Sequence, residues 1–331
     1  MNKSNFNLLI TNLTGLGLLI LVPNALAIQA IVTNEDGRSF EGEIKLLPDN
    51  RLSLDVEAGE GSASYVFSKE SLARIEYLDG ESVEDGLDAS EQNQSAVAIS
   101  YLEDVHRGRT PFYKLVPDPQ AAEPSLVLGT AYLEVGRYAD ATGVAGVLLG
   151  NDFPDPVIHA KANEILLMAF FGLKRWDETE ILSKRWCENH EPFDESALGW
   201  WILSEVHLAR EETEKARWIS LQPITFSSQF PKAYLQDCFH VAIESWIEES
   251  PEQALRLYKQ YQDRGFKWPI DKHPQTRQAI TNLTLSVEAP DQEEESLDPL
   301  SIEEGEPKKD LNLPLETVRK LTTQNEPSQT P

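Results

Sequence analysis

Four small residues recur at an almost constant interval in the middle of the chain. Ala141, Thr179, Ala216 and Ala254 are separated by 38, 37 and 38 residues. Self-similarity at a period of roughly 20–50 residues is typical of folds that stack one supersecondary unit on the next. A small residue at one place in each unit lets two helices approach closely, so the spacing predicts a stack of helix hairpins.

The segment around Ala141 shows the pattern most completely. Gly129 and Ala141 provide small residues where two helices approach, and Gly136 suits the sharp turn between them. The residues that carry the pattern are Leu128, Gly129, Tyr132, Gly136, Tyr138 and Ala141, and Pro154 follows near the repeat end. This segment resembles the tetratricopeptide (TPR) repeat, although the period here is longer than the ~34 residues usual for that family.

Three later copies repeat the pattern with substitutions. The turn glycine is replaced by Lys174, Glu211 and Glu249, and the small residue of the first helix is replaced by Leu167 and Ser204. The resemblance therefore implies TPR-like packing of four antiparallel helix pairs in a right-handed stack, with longer helices or turns than in the family.

The resemblance also implies a partner-binding groove, which in TPR proteins is built from the first helix of each repeat. Carried over position by position, the groove consists of Leu126, Thr130, Leu133, Glu164, Met168, Phe171, Trp201, Glu205, Leu208, Phe239, Ile243 and Trp246. We expect Trp201 and Trp246 to be its main anchors, because buried aromatic side chains often dominate interfaces. Alternatively, this apolar stripe packs inside the protein, against residues 96–116 or within the superhelix.

A small β module precedes the repeats, at residues 28–78. Leu52, Leu54 and Val56 alternate with polar residues, as in a strand with one buried face, and Asp36-Gly37 suits a tight hairpin. Five such short runs favour a small curled barrel. The runs DGRSFEGEI and LARIEYL resemble SH3-like or Sm-like barrels, but the module lacks the basic stripe that RNA binding would need.

The first 27 residues have the layout of a secretory signal. Lys3 precedes a mostly apolar run at 8–22, and Ala25 and Ala27 occupy the small-residue positions of a cleavage site. We expect cleavage after Ala27 and a periplasmic or secreted protein, the alternative being an uncleaved membrane anchor.

The sequence therefore predicts a mainly α protein, a TPR-like solenoid preceded by a five-stranded β-barrel. The expected segments are a signal peptide at 1–27, the barrel at 28–78, an acidic linker at 79–93, the solenoid at 94–285 with repeats at about 123–265 and a cap helix at about 275–287, and a disordered, acidic, proline-containing tail at 286–331.

Charge and missing motifs exclude several function classes. A net charge of −26 disfavours nucleic-acid and anionic-membrane binding, because it repels phosphate groups. Six histidines show no metal-ligand spacing, and no nucleophile elbow, phosphate loop or dinucleotide fingerprint is present, so no cofactor, metal site or catalytic residue is predicted. Core packing is the favoured role of His207, and two buried thiols are the favoured state of Cys187 and Cys238.

We interpret the chain as a non-catalytic, secreted or periplasmic scaffold whose groove binds a peptide or helix of a partner protein, with cell-envelope assembly or maintenance as its setting. The alternative from another class is a hydrolase or carbohydrate-active enzyme that uses paired carboxylates. Two such carboxylates in one pocket with strongly raised pKa values would favour the enzyme.

Overall fold

The computed structural model describes residues 28–58, 61–190, 196–226, 234–269 and 272–288. The expected signal peptide and all of the expected tail beyond residue 288 lie outside the described residues. The described residues up to Thr284 belong to one compact unit.

The β module forms an antiparallel sheet of five strands. They are β1 (Ile28–Asn34), β2 (Ser39–Leu46), β3 (Leu52–Ala58), β4 (Gly61–Phe67) and β5 (Leu72–Tyr77), in the spatial order β4-β3-β2-β1-β5. Leu52 and Leu54 are fully buried, as their alternation predicted. The five-stranded antiparallel arrangement is therefore confirmed.

The sheet is curled, and its two edges are β4 and β5. Phe40 on β2 and Tyr65 on β4 approach to 5.0 Å between ring centroids although β3 lies between their strands. A Cβ atom on Gly42 would lie 2.3 Å from the carbonyl oxygen of Asp55, so the close approach of β2 and β3 requires glycine there. Within the described residues no ladder joins β4 to β5, so the expected small curled barrel is a curled five-stranded sheet with two unpaired edges.

Eleven α-helices follow the sheet in the described part of the chain. They are α1 (Gly80–Glu91), α2 (Ser95–Arg109), α3 (Pro119–Glu134), α4 (Tyr138–Leu149), α5 (Pro156–Gly172), α6 (Trp176–Asn189), α7 (Ala197–Ala209), α8 (Thr213–Phe226), α9 (Leu235–Ile247), α10 (Pro251–Asp263) and α11 (Pro274–Glu288). The chain is thus mainly α, with the sheet before the helices.

The four small residues of the repeat occupy equivalent places. Ala141, Thr179, Ala216 and Ala254 are each the fourth residue of the second helix in a pair, and each is 0% exposed. Helices pack in chain order, and first helices also pack on each other, α3 on α5 and α7 on α9. The spacing thus predicted the stacked helix pairs, and their TPR-like packing agrees with what the resemblance implied.

The turns between paired helices share one backbone motif. Gly136, Lys174 and Glu211 all have left-handed φ values, +76°, +56° and +61°. The backbone N–H of the residue after each of these three donates to the carbonyl oxygen five residues earlier in the chain, as Arg137 does to Tyr132 at 2.8 Å. This is the Schellman arrangement. Glu249 does not adopt this conformation, so the last pair turns differently.

The expected acidic linker is wrong, because residues 80–91 form α1. Gly86 and Ala89 on this helix are buried, and a Cβ on Gly86 would lie 2.5 Å from Leu102 on α2. Asn93 then adopts a left-handed φ of +58° at the turn, and Ala98, the fourth residue of α2, is 0% exposed. Helices α1 and α2 are therefore a further pair ahead of the four expected ones.

The sheet is packed against the end of α2. Asp79 forms an ion pair with Arg109, whose Nε donates to Oδ2 at 2.9 Å and whose guanidinium lies 4.8 Å from the centre of the Tyr77 ring. Phe112 and Leu115, from the short segment after α2, complete the apolar core of the sheet.

The helical stack contains two hydrophobic clusters that meet on α5. Ile165 and Ala169 on this helix belong to the first cluster, which also draws on α1 to α4. Leu167 on the same helix belongs to the second, which continues through α6 to α11. One helix thus contributes to both cores.

Candidate partner-binding surface

The expected groove residues lie on α3, α5, α7 and α9, and their exposed surfaces are called here the first-helix face. Within this set the side chains of Leu126, Trp201, Phe239 and Ile243 are buried. Thr130 is exposed, and the remaining residues are half-buried: Leu133, Glu164, Met168, Phe171, Glu205, Leu208 and Trp246. The stripe is therefore accessible mainly at its first two helices.

Trp201 is at the centre of an aromatic cluster. Its ring stacks on Tyr234 with centroids 5.5 Å apart and meets the edge of Phe171 at 5.6 Å. The indole Nε1 donates to Glu205 Oε1 at 3.1 Å, and Tyr234 Oη donates to Glu164 Oε1 at 2.9 Å. Tyr234, the residue just before α9, therefore covers the face between α5 and α7.

Three expected groove residues of α9 do not share one surface. Phe239 packs edge to face on Tyr261 of α10 at 5.8 Å, so it lies between the paired helices. Trp246 is stacked against the guanidinium of the buried Arg217 on α8, 3.7 Å from the ring centre. Ile243 is fully buried in the second cluster.

The chain itself binds the first-helix face near its far end. We call Lys272, His273 and Thr276, which lie just before α11 and in its first turn, the latch. Lys272 Nζ lies 2.6 Å from Asp237 Oδ1 on α9 and 5.4 Å from the Trp201 ring centre. The latch therefore places a cation between a carboxylate and an aromatic face.

His273 bridges two further carboxylates. Its Nε2 lies 3.2 Å from Glu205 Oε1 on α7, and its Nδ1 lies 2.8 Å from Glu244 Oε2 on α9. Thr276 Oγ1 donates to the same Glu244 oxygen at 2.8 Å. Because His273 contacts both α7 and α9, the latch joins two repeats.

The environment of His273 favours its charged form. Burial by itself lowers the pKa of His273, but the hydrogen bonds and charges of Glu205 and Glu244 outweigh it and raise the pKa to about 10. Burial raises the pKa of Glu244, but the hydrogen bonds from His273 and Thr276 outweigh burial, so the pKa of Glu244 lies below its ordinary value. His273 is thus a cation at neutral pH.

A neutral histidine lies beside this cluster. His240 is 0% exposed, and burial, followed by the charges of His273 and Lys272, lowers its pKa to about 3. Its Nε2 is 3.3 Å from Tyr261 Oη, whereas its Nδ1 has no hydrogen-bond partner in the described residues. That Nδ1 lies 3.8 Å from Asp237 Oδ1, the oxygen that binds Lys272.

A cavity of about 420 Å³ lies apart from this face. Its lining includes Glu103, His106 and Arg107 of α2, together with Tyr132 and Arg137. Glu103 accepts hydrogen bonds from Tyr132 Oη at 2.7 Å and Arg137 Nη1 at 2.8 Å, and burial lowers the pKa of His106 to about 4. These pairs tie α2 to the next repeat.

Residue patterns outside the groove have structural roles here. His207 is buried, with Nδ1 2.5 Å from Glu212 Oε2, and Cys187 and Cys238 are free thiols, of which Cys238 is buried and Cys187 only partly so. The described residues contain no group of side chains that could hold a metal ion. Nor does any helix among them have the length and apolar character to cross a membrane.

Sequence reasoning missed the residues that cover the face. Tyr234, Asp237, Glu244, Lys272 and His273 are outside the positions that the TPR resemblance carries over. The pair Lys272-His273 directly before Pro274, which begins α11, is the one local signal: two cations at the start of the cap helix in a strongly acidic chain.

Comparison with protein-family models finds no match for the chain, and comparison with curated protein sequences finds none either. Among solved structures, the chain is similar to the thermophilic TPR protein TTC0263 of Thermus thermophilus, with 14% identity over 62% of this chain and 99% of that one and a TM-score of 0.42. A MamA protein matches with 17% identity over 55% of this chain and 88% of that one, at a TM-score of 0.39. MamA of MSR-1 matches with 16% identity over 57% and 98%, also at 0.39. At such identities and TM-scores, none of these similarities assigns a function.

Proposed function

We propose that this protein is a non-catalytic interaction scaffold, exported to the periplasm or secreted, that binds a segment of a partner protein along its first-helix face. One observation carries the proposal: residues of the chain itself already lie against this face, because His273 binds Glu205 on α7 and Lys272 Nζ lies 5.4 Å from the centre of the Trp201 ring. A surface that binds a short segment in this way is suited to bind one from a partner. Cell-envelope assembly or maintenance is the setting that fits export.

The paired-carboxylate enzyme receives no support from the described residues. A general acid in such an enzyme needs a raised pKa, so that it carries a proton at neutral pH. Every described carboxyl group with a clearly shifted pKa is shifted downward, among them Glu103, Glu180 and Glu244. Hydrogen bonds from neighbouring side chains lower each of these pKa values, so these carboxylates are ionised and bind cationic or hydroxyl side chains of the protein itself.

Site-specific photocrosslinking in cells tests the scaffold. A photoreactive residue at Thr130, which is exposed on α3, is expected to capture a partner protein in the envelope or secreted fraction. The matched control is the same residue at Glu214, which is exposed on α8, a second helix. Capture at Glu214 in place of Thr130 would contradict binding along the first-helix face.

N-terminal sequencing of the mature protein tests export. We expect the mature chain to begin at Ile28, after the small residues Ala25 and Ala27. Recovery of Met1 on exported material would contradict cleavage, and recovery of the protein in the cytoplasm alone would contradict the proposed location.

A further inference from the structure

We propose that the latch occupies a site for a basic segment of the partner, so that Lys272 and His273 are displaced by cationic side chains when the partner binds. This inference rests on the proposed function and names the chemistry of the partner. The occupant is an extended peptide with at least two cationic side chains close in sequence.

The carboxylates under the latch require positive charge. Asp237 is 5% exposed in its side chain, and Lys272 is its one lysine or arginine partner in the described residues. Glu205 and Glu244 both bind His273. Withdrawing a cation from a buried carboxylate leaves an unpaired charge, which is strongly unfavourable. A neutral or acidic segment therefore cannot replace the latch, whereas a basic one can.

The cation sites belong to the repeats and not to the latch. Glu205 is on α7, Asp237 and Glu244 are on α9, and Trp201 on α7 supplies the aromatic face. These helices are held by their own packing, since Trp201, Phe239 and Ile243 are all buried in the second cluster. The binding groups thus remain in place when the latch leaves.

His240 provides an independent sign of a ligand site. Its buried Nδ1 has no hydrogen-bond partner, and it lies 3.8 Å from the Asp237 oxygen that Lys272 binds. In the tautomer whose Nε2–H donates to Tyr261 Oη, this Nδ1 is an acceptor that the single ammonium of Lys272 leaves unused. A guanidinium carries several N–H donors in a fork and stacks on aromatic faces, so an arginine can serve Asp237, His240 and Trp201 together.

The test uses the full chain and a synthetic peptide with the sequence of residues 266–276, FKWPIDKHPQT. A tethered latch competes at an effective concentration on the order of millimolar. We therefore expect the peptide to bind the Lys272→Ala/His273→Ala variant at least about tenfold more tightly than it binds the natural protein. The matched control is Arg256→Ala/Lys259→Ala, which removes two cations from exposed positions of α10 and is expected to bind like the natural protein.

A second peptide carries glutamine at the positions of Lys272 and His273, and it is expected not to bind the double variant. Equal binding of both peptides, or equal affinity of the variant and the natural protein for the first peptide, would overturn the inference. Circular dichroism establishes that the double variant is folded. If it is not, Lys272→Met, which keeps the side-chain length and the His273 ion pairs, replaces it.

A third peptide carries arginine in place of Lys272 and is expected to bind the double variant at least about threefold more tightly than the first. Weaker binding would overturn the assignment of Asp237 and His240 to one ligand site.

Photocrosslinking separates this inference from the proposed function. If the partner is captured at Thr130 and its capture does not increase in the double variant, the scaffold stands and the latch inference fails. If the peptides behave as expected and no partner is captured at Thr130, the latch covers a site for a basic peptide, whereas the binding of a partner as far along the face as α3 fails.

Discussion

The two halves of the helical stack differ in what fills them and in what covers them. The first cluster is mostly alanine and aliphatic side chains, and its helices approach through Gly86 and Gly129, where a Cβ would lie under 3 Å from a neighbour. The second cluster contains large aromatic side chains, including Trp186, Trp201 and Tyr261. The same repeat therefore produces two kinds of interior.

The halves also present different surfaces to a partner. In the first, Thr130 on the first-helix face is exposed. In the second, Tyr234 and the latch lie over the corresponding positions and are held by Glu164, Glu205 and Glu244. The position of a residue within the repeat thus determines which side of its helix it lies on. Segments that do not belong to the repeat pattern, such as Tyr234 and the latch, determine whether that side is accessible to a partner.

Trp201 provides the largest expected effect. Because it is buried among Phe171, Tyr234 and Lys272, Trp201→Ala should lower the free energy of unfolding by about 3–5 kcal/mol, as expected for a large core side chain. Urea denaturation measures this. Trp218→Ala is the matched control, since Trp218 is 58% exposed and should change stability by less than about 0.5 kcal/mol. Similar effects for both would mean that aromatic packing does not support the second half.

The junction between the sheet and the first half is the next test. Asp79→Ala removes the carboxylate that pairs with Arg109. Because the Arg109 side chain is only 8% exposed, the unpaired charge should lower the free energy of unfolding by about 3 kcal/mol. Asp49→Ala breaks the exposed pair with Arg51 and should cost at most about 1 kcal/mol. A small loss in Asp79→Ala would show that the sheet is held by apolar contacts alone.

The latch should make the second half sensitive to alkaline pH. The pKa of His273 is raised to about 10 in the folded protein and is about 6.5 when unfolded. Its contribution to stability is therefore complete below pH 6.5 and is lost as the pH rises through 10. Because the site is partly solvated, we expect the natural protein to lose roughly 1–2 kcal/mol more than His273→Gln between pH 6.5 and 10. Parallel curves would contradict a charged latch.

The turns give the smallest expected effect. Lys174 has a left-handed φ of +56°, which is unfavourable for a residue with a Cβ, so Lys174→Gly should stabilise the protein by about 1 kcal/mol. Gly136→Ala, at the equivalent turn, should destabilise it by a similar amount. Thermal melts of both variants measure the difference. Destabilisation by Lys174→Gly would mean that the lysine side chain contributes more than its backbone costs.

The repeat was predictable because a small residue is needed at the same helix contact in every pair, so small residues recur in the sequence at a nearly constant spacing. The same record extends further: Gly86, Ala89, Asn93, Ser95 and Ala98 precede Gly129, Tyr132, Gly136, Tyr138 and Ala141 by a constant 43 residues. The acidic composition of residues 79–93 concealed this pair, since solvated carboxylates on one face of α1 look like a linker. The acidic composition indicated the exposed face of α1, whereas the buried residues Gly86 and Ala89 determined how that helix packs.

The groove was only partly predictable. Its register places Trp201 on the first helix of its pair, α7, but burial by Tyr234 depends on a residue outside the repeat, 33 positions later. Trp246 fills a place beside Arg217 because a guanidinium and an indole stack where two repeats meet. Neither contact leaves a signal in a single sequence.

The architecture of this protein, a five-stranded sheet followed by stacked helix pairs, could be predicted from the amino-acid sequence, because hydrophobic periodicity, turn residues and small contact residues act over a few neighbouring positions. Which part of the first-helix face is accessible depends on the folded protein. That outcome depends on ion pairs between residues that are far apart in the chain, such as Lys272 with Asp237 and His273 with Glu205, and their strength comes from the burial that folding creates.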